Sequence, residues 1–210
     1  AIEALYHLNP RRLVQVGYGL LDEMTEAWNA TEHTPNPTKT ILIAPSWQQD
    51  NILDSCIDQL VEQFSGLGCR IIIRPHPQYV RLYGDRIEGL IRRYQDRIGE
   101  DFVVQTDFSS TDTVYRSDLL VTDWSNVGYE FALSTLKPVL YINTPMKVMN
   151  PEYDKIDVVP FAIRIRSQLG AALELDQLDH AGDFGRNREP FQDLQVPFAG
   201  AQNRLIAGNK

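Results

Sequence analysis

With 210 residues, 43% hydrophobic and 23% charged, the chain has the balance of a globular protein with one substantial core or two small ones. Its net charge of −8 argues against a nucleic-acid-binding protein and against electrostatic docking on anionic lipid, because both require a basic face. No apolar run approaches the roughly 20 residues of a membrane span, and Cys56 and Cys69 form no CxxC pair that would indicate a zinc site.

Apolar runs alternate with amphipathic segments along most of the chain. Strands are predicted at 40–44, 70–74, 102–105, 118–122 and 138–142. Helices are predicted, from apolar residues with helical spacing, at 50–68, 85–99, 110–117 and 125–136. Because the strands are apolar throughout, they indicate a parallel sheet covered on both faces. The predicted fold class is therefore α/β, with a doubly wound, Rossmann-like sheet.

The last third of the chain carries weaker patterns. The run "VVPFAIRI" at 158–165 predicts a short strand, and "SQLGAALEL" at 167–175 predicts a helix. Residues 182–197 are rich in Gly, Pro and polar side chains, which predicts a surface loop. A closing helix is predicted at 198–208.

Ligands of an open parallel sheet bind beyond the carboxyl ends of its strands. Polar residues follow four of the predicted strands, at 45–46, 74–76, 107–110 and 123–126. Since parallel strands end at one edge, these four segments are expected on the same side of the sheet, where Ser46 becomes a candidate ligand-binding residue.

The stretch "RPHP" places Arg74 and His76 at such a strand end, each followed by a proline that restricts the backbone. Both side chains are candidates for contact with a ligand. The plainer alternatives are a structural ion pair for Arg74 and, for His76, a loop histidine that caps a backbone carbonyl.

The stretch "VTDWSNVGYEF" passes from strand through a tight loop to a helix start. Ser125 and Asn126 lie at the helix N-terminus, where free N–H groups and the helix dipole favour an anion. The alternative is that Asp123 or Ser125 serves as an N-cap. Asp123 would repel a phosphate, so we interpret it as a cap or loop organiser at the edge of the site.

Other ligand motifs are weak or absent. The pair Gly17-x-Gly19 resembles the start of a dinucleotide fingerprint, but Asp22 replaces the third glycine and no acidic residue follows at a clear strand end. The sequence contains no DxD pair, GxSxG elbow or P-loop. No cofactor and no metal are therefore predicted.

Four segments together resemble the C-terminal domain of the CDP-glycerol glycerophosphotransferases, over about residues 13–145. These are "RPHP", "YRSDLLVTDWSNVGYEFALSTLKPVLYI", "GYGLLD" and "ILIAPSW". The corresponding family patterns are R-P-H-P, S-D-x-L-I-T-D-Y-S-S-x-x-F-D/E-F followed by K-P, G-Y-P-x-x-D and I-L-Y-A-P-T-W. The chain departs from them at Asn126, Trp124 and Gly19, where the family has Ser, Tyr and Pro.

The resemblance implies a GT-B architecture with the active site between two Rossmann-like domains, a nucleotide-activated donor in the C-terminal one, and no metal. It implies that His76 faces the donor's phosphate and glycerol, that Arg74 orients the donor or adds positive charge, and that Glu130 lies near the ribose. A helix carboxylate paired with a neighbour is the alternative for Glu130. The donor-binding candidates are then Ser46, Asp123, Ser125, Asn126 and Glu130.

The family's other essential histidine belongs to an H-G motif of the N-terminal domain, and none of the four histidines here precedes a glycine. Residues 1–210 are therefore expected to form a single donor-binding domain, the C-terminal half of a two-domain transferase. CDP-glycerol is the favoured donor. The polymer acceptor and any membrane contact would involve regions outside this chain, and the expected location is the cytoplasm or the inner face of the cell membrane.

Two other classes of function stay open. One is a nucleotide-sugar glycosyltransferase or a domain like that of UDP-GlcNAc 2-epimerase, which shares the GT-B plan but reacts at a sugar carbon. The other is a nucleotide-binding module without catalytic activity.

Overall fold

A computed structural model describes residues 6–9, 16–32 and 35–186. The predicted helix at 198–208 and most of the predicted loop at 182–197 lie outside these residues. The strands are β1 (Thr40–Ile43), β2 (Arg70–Ile73), β3 (Phe102–Val104), β4 (Leu119–Thr122), β5 (Val139–Asn143) and β6 (Gly170–Glu174). The helices are α1 (Gly19–Asn29), α2 (Ile52–Ser55), α3 (Ile57–Ser65), α4 (Pro77–Leu82), α5 (Gly84–Tyr94), α6 (Asp112–Arg116), α7 (Val127–Thr135), α8 (Phe161–Arg164), α9 (Arg166–Leu169) and α10 (Ala181–Arg186).

The strands form one six-stranded sheet in the order β3-β2-β1-β4-β5-β6. Every neighbouring pair is parallel, which confirms the predicted fold class. The order reverses between β1 and β4, where the chain crosses from one half of the sheet to the other. In sheets of this kind, that switch point opens a crevice at the carboxyl edge.

The core lies on both faces of the sheet because alternate side chains of each strand point in opposite directions. On one face, Ile41 and Ile43 pack with helix α3, which contributes Leu60 and Phe64. On the other face, Leu42 packs in the cluster that contains Phe131 and Ala132 of α7. Helices thus cover both faces, as continuous apolar strands predict.

The predicted helix at 50–68 is divided into α2 and α3 at Cys56, whose backbone (φ −152°, ψ 13°) is not helical. The predicted helix at 85–99 ends as α5 at Tyr94 and continues only as a single 3-10 turn, Gln95–Arg97. The remaining boundaries of the predicted strands and helices up to residue 143 agree with the structure to within a few residues.

The predictions for 158–165 and 167–175 are wrong. The first segment forms α8 instead of a strand, because Pro160 cannot donate to a strand ladder and its φ of −54° leads into a helix. The second becomes α9 and then β6, which pairs in register with β5 over five residues. Helix-favouring residues such as Ala171 and Leu173 are therefore overridden by the open edge of β5.

Glycine at position 170 explains where β6 can begin. A Cβ atom built there would lie 1.7 Å from the carbonyl oxygen of Val139, so no other residue fits against β5 at this point.

The predicted loop at 182–197 is also wrong at its start, because Ala181–Arg186 is helical. Among the described residues, no helix combines the length and the apolar character that a bilayer crossing requires.

Candidate functional site

Asp123 follows β4 at the switch point of the sheet and organises the loops there. Its side chain is buried, and its carboxylate accepts hydrogen bonds from the backbone amides of Ser46 (2.8 Å), Trp124 (2.6 Å) and Ile52 (3.3 Å). Burial raises the pKa of Asp123, and these amides counteract part of that effect. The carboxylate thus connects the loop after β1 to the end of β4.

Asn51 completes the same loop and is fully buried. Its Nδ2 donates to the carbonyls of Ser46 (2.8 Å) and Gln48 (2.9 Å), and its Oδ1 accepts the amide of Leu53 at 2.8 Å, which caps α2. The sequence analysis did not single out Asn51, although an Asn directly before a helical pattern is a recognisable N-cap signal.

A cavity of about 1020 Å³ lies beside the N-terminus of α7. It is lined by residues 123–126 and by the segment that leads from β5 to α8. Most lining side chains of that segment are apolar, with Asp154 and Asp157 as the two lining carboxylates; the apolar ones include Met146, Val148, Met149, Ile156, Val158 and Val159.

Ser125 and Asn126 present the first turn of α7 to this cavity. Asn126 is the N-cap residue, and within the described residues its side chain makes no capping bond. The first N–H groups of a helix have no intrahelical acceptors and, with the helix dipole, favour an anion. The cavity therefore has one end suited to a negatively charged group.

Arg166 also lines the cavity, and the sequence analysis missed it. It is only 9% exposed, and its guanidinium carbon lies 4.0 Å from the ring centroid of Trp124 and 4.5 Å from that of Tyr141. Its Nη2 donates to Oδ1 of Asn143 at 2.8 Å. Burial lowers the pKa of this guanidinium. The sequence carries no motif at this position, so spacing alone could not have identified it.

Lys147 is a second, half-buried cation on the cavity wall. Its Nζ lies 4.9 Å from the ring centroid of Trp47, and burial lowers the pKa of its ammonium group. Its charge also reaches His76, because it is one of the two causes that lower the pKa of that imidazole.

His76 caps α4. Its Nδ1 accepts the backbone amide of Gln78 at 3.0 Å, so the neutral ring carries its proton on Nε2. Burial, and after it the charge of Lys147, lowers the pKa of His76. His76 is thus a capping histidine, as the plainer alternative in the sequence analysis had it, but its partner is the backbone amide of Gln78 and not a backbone carbonyl.

Arg74 is directed to the loop between β3 and α6. Its Nη1 donates to Gln105 Oε1 (3.2 Å), the Ser110 carbonyl (3.1 Å) and Thr113 Oγ1 (2.8 Å). Its guanidinium carbon also lies 5.4 Å from the ring centroid of Phe108. These hydrogen bonds hold the end of β2 to the loop between β3 and α6. The sequence analysis considered a structural ion pair for Arg74, and the structure shows hydrogen bonds to neutral groups in its place.

Glu130 lies one turn further along α7. Its Oε1 accepts the hydroxyl of Tyr18 at 2.5 Å. Burial raises the pKa of Glu130, and the bond from Tyr18 lowers it in part. Tyr18 belongs to the "GYGLLD" segment, so this contact joins two stretches that carry the family resemblance.

The structure brings some of the predicted site residues together and leaves others apart. Asp123, Ser125 and Asn126 line the cavity, and Ser46 is joined to them through the Asp123 carboxylate. Of the other described candidates, Arg74, His76 and Glu130 do not line this cavity. Within the described part of the chain, no group of three or more His, Cys, Asp or Glu residues could hold a metal ion.

The fold and the family together define a transferase-type domain with the Rossmann-like α/β plan of GT-B enzymes. The model of the CDP-glycerol:poly(glycerophosphate) glycerophosphotransferase family matches residues 1–198, and the chain belongs to that family. This confirms the resemblance inferred from the four sequence segments. No curated protein matches the chain.

Solved structures support the fold. The wall teichoic acid polymerase TagF is 18% identical, with a TM-score of 0.52 over 90% of this chain and 43% of that one. The UDP-GlcNAc 2-epimerase of Methanocaldococcus jannaschii is 12% identical, with a TM-score of 0.54 over 97% of this chain and 57% of that one. MurG of Acinetobacter baumannii is 11% identical, with a TM-score of 0.50 over 95% and 56% of the two chains. This chain thus spans about half the length of these proteins.

Proposed function

We propose that this chain is the donor-binding domain of an enzyme that transfers glycerol phosphate, or a related group, from CDP-glycerol to a cell-surface polymer. The observation that carries the proposal is the cavity at the N-terminus of α7, with Ser125 and Asn126 on its wall, in a chain of the glycerophosphotransferase family. A TagF structure soaked with CDPG is among the solved structures of similar fold.

The reaction proposed for the complete enzyme is phosphoryl-linked group transfer. A hydroxyl of the acceptor attacks the β-phosphate of the donor and gives up its proton to water, the bond from that phosphorus to the bridging oxygen breaks, and CMP leaves with the bond's electrons. Such a reaction depends on positioning and on the stabilisation of phosphate charge. The N-terminus of α7 and nearby cations supply that stabilisation.

His76 and Arg74 have distinct parts in this proposal. A neutral His76 with its proton on Nε2 can donate a hydrogen bond to the donor's phosphate or glycerol, while Nδ1 stays bound to the Gln78 amide. Arg74 acts by position, because its bonds to Ser110 and Thr113 hold the neighbouring loop at the strand edge. Glu130, held by Tyr18, is proposed to lie near the ribose.

Two alternatives have observations of their own. The fold is about as similar to a UDP-GlcNAc 2-epimerase as to TagF, so the fold is equally compatible with a nucleotide-sugar enzyme. The engagement of Arg74 in loop contacts favours a binding module without catalysis. Which nucleotide the chain prefers, and whether it turns that nucleotide over, distinguishes the three functions.

Calorimetric titration of the 210-residue chain with CDP-glycerol, CDP-ribitol, UDP-GlcNAc and CMP tests the proposal. CDP-glycerol should bind best, with a Kd on the order of 0.1–1 mM, because one domain of a cleft encloses only part of the ligand. Neither release of CMP nor polymer formation is expected from this chain alone. Preference for UDP-GlcNAc would favour the sugar enzyme, and absence of binding to every nucleotide would refute a donor site.

Substitutions locate the site within the same experiment. Combined replacement of Ser125 and Asn126 by Ala should weaken binding more than His76→Ala, since the role proposed for His76 is mainly in the transition state. Asn29→Ala is the matched control, because Asn29 is an exposed asparagine at the far end of α1. If the Asn29 variant and the Ser125/Asn126 variant lose the same amount of donor affinity, the donor does not bind at the N-terminus of α7.

A further inference from the structure

The guanidinium of Arg166 is buried with few partners of its own. Of its five N–H donors, the described structure assigns an acceptor only to Nη2, which donates to Asn143 Oδ1 at 2.8 Å. No carboxylate oxygen among the described residues lies within the 4.0 Å of an ion pair. A charge removed from water in this way is costly unless something pairs with it.

Two other buried or half-buried cations of the described chain are better satisfied by hydrogen bonds, whereas Lys147, on the same cavity wall, has a cation–π contact with Trp47 and no hydrogen bond within the described residues. Lys137 donates to the carbonyls of Tyr115 and Ser117, both at 2.7 Å. Nη1 of Arg74 has three acceptors within hydrogen-bond distance. Arg166 differs from Lys137 and Arg74 in that it has one hydrogen bond and lines a cavity. The charges of Asp123 and Glu174 act on it only from beyond ion-pair distance, so its other donors can serve a ligand in the cavity.

The plane of the guanidinium is held in a defined position. Arg166 contacts the rings of Trp124 and Tyr141, with centroids 4.0 and 4.5 Å away. Trp124 is itself fixed by a bond from Nε1 to the Thr144 carbonyl at 2.8 Å. Tyr141 packs against Gly128 so closely that a Cβ atom there would lie 2.8 Å from its ring. A cation fixed in this way loses little freedom when it binds.

The anion-binding end of the cavity, at the N-terminus of α7, and Arg166 line the same cavity. Ser125 and Asn126, at the first turn of α7, line it with Arg166, and Trp124 lies directly before them in the chain. A planar guanidinium binds two oxygens of one phosphate side by side, and the free N–H groups of a helix N-terminus donate hydrogen bonds to phosphate oxygens. The two features therefore fit one phosphate-bearing group.

We propose that Arg166 binds the phosphates of the donor, together with the N-terminus of α7. This inference rests on the function proposed above and assigns to Arg166 the positive charge that the sequence analysis assigned to Arg74. Arg74 then acts on the loop after β3, and Arg166 makes the direct contact with phosphate.

Binding measurements on the 210-residue chain with inorganic pyrophosphate, CDP, CDP-glycerol and cytidine test the assignment. Arg166→Gln should weaken binding of the three phosphate-containing ligands at least tenfold, as loss of a charged hydrogen-bond donor does. Weak binding of cytidine, which has no phosphate, should not change. Arg92→Gln is the control, because Arg92 is an exposed arginine of α5.

If Arg166→Gln does not fold, the variant Arg166→Lys still tests the assignment. Lysine keeps the charge but lacks the planar fork, so phosphate binding should weaken severalfold with the thermal unfolding transition retained.

If CDP-glycerol binds equally to the wild type and to both variants, the assignment of Arg166 is wrong and the proposed function survives. If pyrophosphate binding depends on Arg166 but CDP-glycerol binds no better than pyrophosphate, the assignment stands and the proposed donor is wrong. If the wild type binds neither, both are wrong.

Discussion

The carboxylate of Asp123 accepts the backbone amide of Ser46 at 2.8 Å, although the two residues are 77 positions apart. This bond crosses the switch point of the sheet, because Ser46 follows β1 and Asp123 follows β4. Both residues are 1% exposed, so the bond is shielded from water. The loop that carries Trp124, Ser125 and Asn126 is therefore anchored to the other half of the sheet.

Replacement of Asp123 by Asn should destabilise the protein. Asparagine offers one acceptor oxygen where the carboxylate serves three amides, and its NH₂ group would face an amide donor. A buried donor without an acceptor costs about 1–3 kcal/mol, which is the expected loss in the free energy of unfolding. Urea denaturation at pH 7 measures it.

Asp176→Asn is the control for Asp123→Asn. Asp176 is an exposed aspartate in the turn after β6, so its replacement should change stability by no more than about 0.5 kcal/mol. If Asp123→Asn unfolds at the same urea concentration as this control, the carboxylate does not organise the loop.

The bond between Tyr18 and Glu130 predicts an energetic coupling between the start of α1 and α7. In a double-mutant cycle with Tyr18→Phe and Glu130→Gln, the two changes should be non-additive by about 1 kcal/mol. Unfolding by urea of the wild type, both single variants and the double variant provides the cycle. Additive effects would mean that the contact contributes no stability.

Gly128 and Gly89 form a matched pair of helical glycines with opposite expected outcomes. A Cβ atom at Gly128 would lie 2.8 Å from Cε1 and 2.9 Å from the hydroxyl oxygen of Tyr141, whereas at Gly89 nothing lies within 4 Å. Gly128→Ala should therefore destabilise by about 1–3 kcal/mol through overpacking. Gly89→Ala should stabilise by about 0.5–1 kcal/mol, because alanine has the better helix propensity.

Thermal unfolding of the two variants measures both effects, and a shift of the same sign in each would contradict the prediction. Gly128→Ala also bears on the site, because Tyr141 is one of the two rings that hold Arg166. Weaker binding of CDP is expected for this variant and not for Gly89→Ala.

The sheet was predictable from the sequence because each central strand is an uninterrupted apolar run, such as Ile71–Ile73. Its parallel order followed from the same fact, since only a sheet covered on both faces has strands without alternation. The segment 158–175 was not predictable in this way. There the pairing of β6 with β5 decides the structure, and local propensity points elsewhere.

The site was predictable in its position and not in its contacts. Ser125 and Asn126 were assigned to a helix start because a strand, a loop and a helix follow within a few residues. The bonds of Arg74 to Ser110 and Thr113, and of Glu130 to Tyr18, join residues 36 or more positions apart in the chain, where spacing carries no information. Arg166 lies between the two misassigned segments, 158–165 and 167–175, so no pattern connected it with Trp124.

The last prediction concerns the pH dependence of stability through His76. Burial, with the charge of Lys147, lowers the pKa of His76 in the folded protein below its ordinary value of about 6.5. Protonation of the folded ring would also have to occur at Nδ1, which would break the cap to Gln78. As the pH falls below about 6.5, the unfolded chain therefore binds a proton that the folded chain does not, and the free energy of unfolding decreases.

His76→Asn isolates this contribution, because asparagine can cap α4 but does not titrate. Near pH 7.5 its stability should be close to that of the wild type, and between pH 7 and 5 its free energy of unfolding should fall less steeply. Urea denaturation across this range compares the slopes, with the exposed His180→Asn as the control. Parallel slopes for the wild type and His76→Asn would show that His76 is protonated equally in the folded and unfolded chains, which would contradict its burial beside Lys147.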